Sequence, residues 1–228
     1  MNSDLVGIGI YTPAEAARLT GVSAGRIARW LRGHQTNGRL YEPLWRPQID
    51  INDGRVYLGF RDLMEVRVAA AFIKQGLSPQ KVRRAIQIAR DLFGKDHPLS
   101  TKNFRTDGRS VFLQLSEEEG GDRLIDLFRQ QYTFHKIVAP SLRNIEFDES
   151  GVPSRWFPGG QSAHVVVDPA RSFGHPIEEE SGVPTAALAA AARAEGSVEA
   201  AAKAWRVPVR SVRRALKFEE ALEGRMAA

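Results

Sequence analysis

The chain has 228 residues, 43% of them hydrophobic and 26% charged, a globular composition long enough for one or two packed domains and inconsistent with disorder throughout. With no cysteine it can hold no disulfide, thiol nucleophile, iron–sulfur cluster or cysteine-ligated zinc, and no apolar run nears the roughly 18 residues of a membrane span. Met1-Asn2-Ser3-Asp4 carries neither a basic stretch nor a long apolar one, so no export signal and a cytoplasmic location are expected.

The net charge of +5 is unevenly spread: residues 1–116 hold 18 basic and 10 acidic side chains, residues 117–180 hold 6 and 12, and residues 181–228 hold 8 and 5. Basic ends attract phosphate backbones and an acidic middle repels them, a pattern suited to two nucleic-acid contacts flanking a region with another task. A solvated charged surface gives the same balance, so local motifs must decide.

The first motif begins at Thr12-Pro13-Ala14-Glu15, where Thr12 can cap the Glu15 N–H, Glu15 can reach back, and Pro13 occupies the first helical position. A helix is predicted over 14–19, ended by Gly21, and a second over 24–32 with Ser23 able to cap it. On the second helix Ile27, Trp30 and Leu31 share an inward face, leaving Arg26, Arg29 and Arg32 to face out. In a helix-turn-helix the second helix enters the major groove, where arginine bonds guanine or clamps phosphates; Ser23 is counted with these arginines in the DNA-facing set.

Asn37-Gly38, strand-like residues over 40–51, Asn52-Asp53-Gly54 and Val56-Tyr57-Leu58 predict a wing, with Asp-Gly as the hairpin turn and Arg39, Arg46 and Arg55 in reach of the DNA backbone. Helices over 62–75 and 79–93 follow, separated by Gly76-Leu77-Ser78. Tyr11-Thr12, Gly21-Val22-Ser23, Ile27, Asp53-Gly54-Arg55, Tyr57, Asp62-Leu63, Gly76-Leu77-Ser78 and Val82-Arg83 together resemble a MerR-type winged helix-turn-helix over residues 10–90. Where that family usually has arginine then tyrosine after the isoleucine, this chain has Ala28 then Arg29, and it lacks the long dimerising helix of ligand-sensing members.

Residues 97–115, with Thr106-Asp107-Gly108-Arg109 before the alternating Val111-Phe112-Leu113-Gln114-Leu115, predict a hairpin. Glu117-Glu118-Glu119-Gly120-Gly121 predicts a break, and 122–131 a helix carrying Leu124, Ile125, Leu127 and Phe128. Residues 144–157 predict a second hairpin turning at Glu149-Ser150-Gly151, whose Arg155, Trp156 and Phe157 are candidates for a protein contact, although core packing explains a Trp-Phe pair more often. Pro158-Gly159-Gly160-Gln161-Ser162 predicts a flexible link.

Gly196-Ser197 then mark a stop and a cap, followed by helices over 198–205 and 209–222 about a turn at Arg206-Val207-Pro208. Val212, Leu216 and Phe218 face a core, while Arg210, Arg213, Arg214 and Lys217 form a basic set suited to DNA. Asp168-Pro169, Phe173-Gly174-His175-Pro176, Gly182-Val183-Pro184-Thr185, Gly196-Ser197 and Val212-Arg213-Arg214-Ala215-Leu216 are similar to the small helix-turn-helix domain of VapB-like antitoxins over residues 164–222. Glu178-Glu179-Glu180 stand where that domain usually has a basic or threonine-rich loop. The two resemblances together imply a VapB-like antitoxin that represses its own operon and neutralises a PIN-domain ribonuclease, with Arg155 able to compete for the clustered carboxylates of such an enzyme.

The fold class expected is α+β, mainly helical: a winged helix-turn-helix with hairpin extension over 1–116, an acidic connecting segment over 117–163, and a helix-turn-helix domain over 164–228. Five histidines at 34, 97, 135, 164 and 175 show no metal-ligand spacing, Gly7-Ile8-Gly9 lacks a dinucleotide fingerprint, and the glutamate runs fit solvated loops, so no enzyme, cofactor or metal is expected. The partners expected are double-stranded operator DNA, a PIN-domain toxin and a second copy in a symmetric dimer, with no membrane. The alternatives are a MerR-like regulator responding to a small molecule and a protein-interaction adaptor without specific DNA binding.

Overall fold

The computed structural model describes residues 6–120 and 122–227. The Met1-to-Asp4 export reading and Gly121 lie outside them, as do the side chains of Arg39, Leu124 and Leu127. The chain forms two compact units: one of Thr12–Arg143 with Phe147–Pro153, here the N-terminal unit, and one of residues 6–11, 144–146 and 154–227, the C-terminal unit. The described residues are mainly helical, with three antiparallel strand pairs, in keeping with an α+β class. Among them no helix is long and apolar enough to cross a membrane.

In the N-terminal unit α1 (Pro13–Thr20) starts as the sequence predicts, with the reciprocal Thr12–Glu15 capping bonds formed and Gly21 left-handed at its end. Helix α2 (Ala24–Arg32) buries Ile27, Trp30 and Leu31. The hairpin comes earlier than expected: β1 (His34–Thr36) pairs with β2 (Arg39–Tyr41) about Asn37-Gly38, both at positive φ, as a two-residue turn of matching twist requires. Residues 42–57 are therefore loop rather than the expected strand, and Leu58 forms only an isolated bridge. Leu44, Trp45 and Ile49 in this loop are buried, so core packing takes the place of sheet pairing, and Asp53-Gly54 is a turn without a ladder.

Helices α3 (Phe60–Lys74) and α4 (Pro79–Phe93) follow, the second capped by Ser78 Oγ accepting from the Lys81 N–H at 3.3 Å. The next segment corrects the sequence expectation. Residues 97–120 contain no hairpin; they form α5 (Lys102–Asp107) and α6 (Arg109–Glu119). Val111 and Leu115 share a helix face with Phe112 beside them, all fully buried, and this face prevails over the short alternating pattern. Gly108 joins the two helices where a Cβ would lie 2.4 Å from the Phe104 carbonyl oxygen and 2.6 Å from the Phe134 ring, so only glycine permits the approach. The glutamate run is likewise helix, with Glu118 paired to Arg84, and the break comes at left-handed Gly120.

Helices α7 (Arg123–Arg129) and α8 (Gln131–Ser141) close an aromatic core. Phe72 of α3 lies 5.0 to 6.1 Å from the rings of Phe112, Phe128 and Phe104, and Phe134 of α8 lies 5.4 Å from Phe104. Each such pair contributes about 0.5–1.5 kcal/mol beyond its buried area. The expected hairpin of 144–157 is present as β3 (Ile145–Phe147) and β4 (Pro153–Trp156).

In the C-terminal unit β5 (Val165–Val166) pairs with β6 (Ile177–Glu178), and Trp156 bridges Val167. The expected link at 158–162 is an ordered turn running into a short 3-10 segment, with the Gly160 N–H donating to the Phe157 carbonyl at 3.0 Å. Helices α9 (Thr185–Ala194), α10 (Val198–Trp205) and α11 (Val209–Ala227) pack around Leu188, Ala192, Ala201, Ala202, Val212 and Ala215. The alanines let these helices approach closely, and Ser197 caps α10 through the Ala200 N–H at 3.1 Å.

Candidate nucleic-acid interface

Two pairs of consecutive helices joined by short turns, α1–α2 and α10–α11, carry the basic sets expected from the sequence, and their cations stand in different surroundings. On α2, Arg26, Arg29 and Arg32 are all exposed. Neither Arg26 nor Arg29 has an acidic partner among the described residues, and both line a cavity of about 340 Å³ with Trp30, His34, Tyr41 and Arg83. His34 and Tyr41 stack at 4.8 Å across the hairpin, and Leu40 on the same hairpin is 71% exposed. Ser23 sits at the N-cap position, but the side-chain cap expected of it is not formed; its carbonyl accepts from the Arg26 and Ile27 N–H groups as the first bonds of the helix.

Arg32 takes a different part. Its Nη2 donates to the Gly54 carbonyl at 2.7 Å, tying the Asp53-Gly54-Arg55 turn to the end of α2. Asp53 shapes that turn by accepting from the Arg55 N–H and the Tyr57 hydroxyl, both at 2.9 Å, and the Arg55 backbone bond first among its contacts holds its carboxyl below the usual range. Arg55 and Arg46 are exposed.

The loop carrying these residues is pinned from beneath by Asp62, a buried residue that sequence reasoning noted only within the family pattern. Its carboxylate accepts from Trp45 Nε1, the Gln48 N–H and the Gly59 N–H, each at 2.8 Å, and meets His97 Nε2 at 2.7 Å. The available signal was its place three residues after Gly59 at the start of α3, where an aspartate returns to cap the helix. One turn on, buried Glu65 accepts from the Leu99 and Ser100 N–H groups at 3.1 and 3.0 Å. Burial pushes its carboxyl up to about 7 against the His97 charge and these bonds. For His97 burial acts downward, but bonding to Asp62 and the charges of Asp62 and Glu65 outweigh it and raise the imidazole.

The basic set on α11 is held by glutamates instead. Arg210 forms a bidentate pair with Glu180, Nε to Oε2 at 2.7 Å; Arg213 meets Glu199 at 2.9 Å; Arg214 meets Glu178 at 2.9 Å and Glu180 at 3.2 Å. The bond from Arg210 holds the Glu180 carboxyl low and raises the Arg210 guanidinium in return. At Glu178 burial acts upward, but bonds from Ser181 and Arg214 prevail and keep the carboxyl below its usual value. The expectation of solvated loop glutamates is corrected here for Glu178, a buried strand residue. Lys217 is exposed and lies with a cavity further along the helix.

Of the residues expected to meet a protein partner, Trp156 and Phe157 are 4% and 3% exposed and belong to the core, Phe157 packing with Val166 and Ile177. Arg155 is half exposed, its Nε 3.5 Å from Glu146 and 3.8 Å from Asp168.

No family model matches the chain. It is 28% identical to a Mycobacterium tuberculosis (strain ATCC 25618 / H37Rv) protein described as "Putative antitoxin VapB45", over 91% of this chain and 92% of that one. It is also similar to the X-ray crystal structure of Rv2018 from Mycobacterium tuberculosis, with a TM-score of 0.70 and 26% identity over 92% of this chain and 99% of that one.

Proposed function

We propose that this protein is the DNA-binding antitoxin of a toxin–antitoxin pair, which neutralises a PIN-domain ribonuclease and represses its own operon without being an enzyme itself. The observation that carries this reading is the pair of exposed arginines, Arg26 and Arg29, without acidic partners among the described residues, on the second helix of α1–α2, in a chain similar over 91% of its length to a described antitoxin. In the winged helix-turn-helix arrangement, α2 enters the major groove with Arg26 and Arg29 toward base edges, Ser23 meets a phosphate, and the 34–41 hairpin with Arg46 and Arg55 follows the backbone. A symmetric dimer in the cytoplasm reads a palindromic operator.

Arg155 is the member of the predicted toxin contact that a partner can reach, while Trp156 and Phe157 lie in the core. The C-terminal arginines stand outside the DNA contact in this reading, because a guanidinium already bonded to carboxylate has little charge to offer a phosphate.

Fluorescence anisotropy with the DNA upstream of the gene against a scrambled duplex, from low to physiological salt, tests it. About a thousandfold discrimination is expected, tightened by the product of the neighbouring gene. Equal binding to both duplexes at every salt concentration would reject the reading in favour of an adaptor.

A further inference from the structure

We propose that the C-terminal unit holds a binding site for a small amphipathic anion, an aliphatic or aryl carboxylate, beside the second half of α11. A cavity of about 330 Å³ opens there, at the lower end of the range of small-ligand sites. Its floor is hydrocarbon: Phe218, 9% exposed, and Leu222, 2% exposed, with Ala221 and Ala163 beside them. Lys217 and Arg225 stand exposed at its mouth.

The charges at this mouth differ from those one turn earlier. Arg210, Arg213 and Arg214 each already hold a glutamate, and Arg214, which also lines the cavity, is fixed by Glu178 and Glu180. Among the described residues neither Lys217 nor Arg225 meets an acidic partner. One helix therefore carries a carboxylate-saturated end and an end with two cations over an apolar floor, and a ligand complementary to the second is apolar in body and anionic at the head.

Spacing narrows the class. Lys217 and Arg225 are eight residues apart, about 12 Å along the axis at 1.5 Å per residue, too far for one phosphate to bridge. A polyphosphate would favour clustered donors, whereas here hydrocarbon separates the cations. A medium-length chain or a single ring can lie across Ala221 and Leu222 with its carboxylate on one cation.

Titration calorimetry of the full-length protein with decanoate below its micellar range, and with decanol, tests the proposal, together with amide chemical-shift mapping. Expected are one decanoate per chain, at least fivefold weaker binding of decanol, and shifts confined to 159–163 and 214–225. Ala221→Phe, which fills the cavity from an exposed helix position, should abolish binding. Lys217→Gln with Arg225→Gln should weaken decanoate about tenfold and leave decanol unchanged, while Arg213→Gln should change neither by more than twofold. Circular dichroism of each variant separates loss of the site from loss of the fold. Absence of binding, shifts elsewhere, or full binding by folded Ala221→Phe would overturn the site. Binding of an acidic peptide but not of decanoate would overturn the ligand class in favour of a protein partner.

Discussion

The two helix pairs α1–α2 and α10–α11 share a local plan, a short first helix, a tight turn and a longer second helix with arginines on its outer face, yet their electrostatics diverge. On α2 the arginines beside the turn are open to solvent; on α11 the arginines of the first turns are each matched by a glutamate from β6, the following turn or α10. The geometry of such a motif therefore does not by itself make a DNA reader. What surrounds its cations sets how much charge they have left to present.

The largest expected consequence is at α2. Arg26→Ala with Arg29→Ala should reduce operator affinity by about 30-fold or more and remove discrimination, at 1–3 kcal/mol for each lost base contact. Arg210→Ala with Arg213→Ala should change it less than about twofold; equal losses in the two pairs, measured by anisotropy at one salt concentration, would break the contrast. The contrast can also be turned around. Glu180→Gln releases Arg210 and relaxes Arg214, so non-specific duplex binding should rise about threefold and its salt dependence steepen by about one to two counterions. Comparable in size is Arg32→Ala, which frees the Asp53-Gly54-Arg55 turn; a loss of about threefold, the same on specific and scrambled DNA, lies within the about 0.5–1.5 kcal/mol of one hydrogen bond.

Above pH 4.5 the two units should also differ in their response to pH. Glu65 has its folded value raised from 4.5 to about 7, so it favours the folded N-terminal unit at low pH and loses that contribution as pH climbs through this interval. The raised His97 acts in the same sense above its ordinary value of 6.5. Glu178 and Glu180 are lowered, so their contribution to the C-terminal unit is present above 4.5 and lost as pH falls through their folded values. Hydrogen exchange followed by mass spectrometry at pH-corrected times should show the N-terminal unit less protected at pH 8 than at pH 5.5. Glu65→Gln should flatten that slope, and a slope unchanged in this variant would remove the assignment.

Much of the helical frame was legible because its signals are local. Thr12-Pro13-Glu15, Ser78 and Ser197 each meet their own helix within three residues, and Ile27, Trp30 and Leu31 mark a face by spacing alone. The aromatic core was not, since Val111-Phe112-Leu113 alternates over too few residues to separate strand from buried helix, and the Phe72, Phe104 and Phe134 contacts that settle it come from distant helices. The same limit applied to the interface. Arg26 and Arg29 read correctly as outward from helical period, but the partners of Arg210 and Arg214 lie 30 to 36 residues away, and pairing over that distance is a product of the fold.

The C-terminal unit is discontinuous, and that sets an order in time. The Tyr11 hydroxyl donates to the Gly174 carbonyl at 2.7 Å across 163 residues, and the Ile10 N–H bonds Phe173. During synthesis at about 5–20 residues per second the N-terminal unit can fold while Tyr11 waits some eight seconds or longer for its acceptor to be made. A ribosome that stops short of the last helices therefore releases a chain with its N-terminal unit complete and the other unit open, and so exposed to proteases.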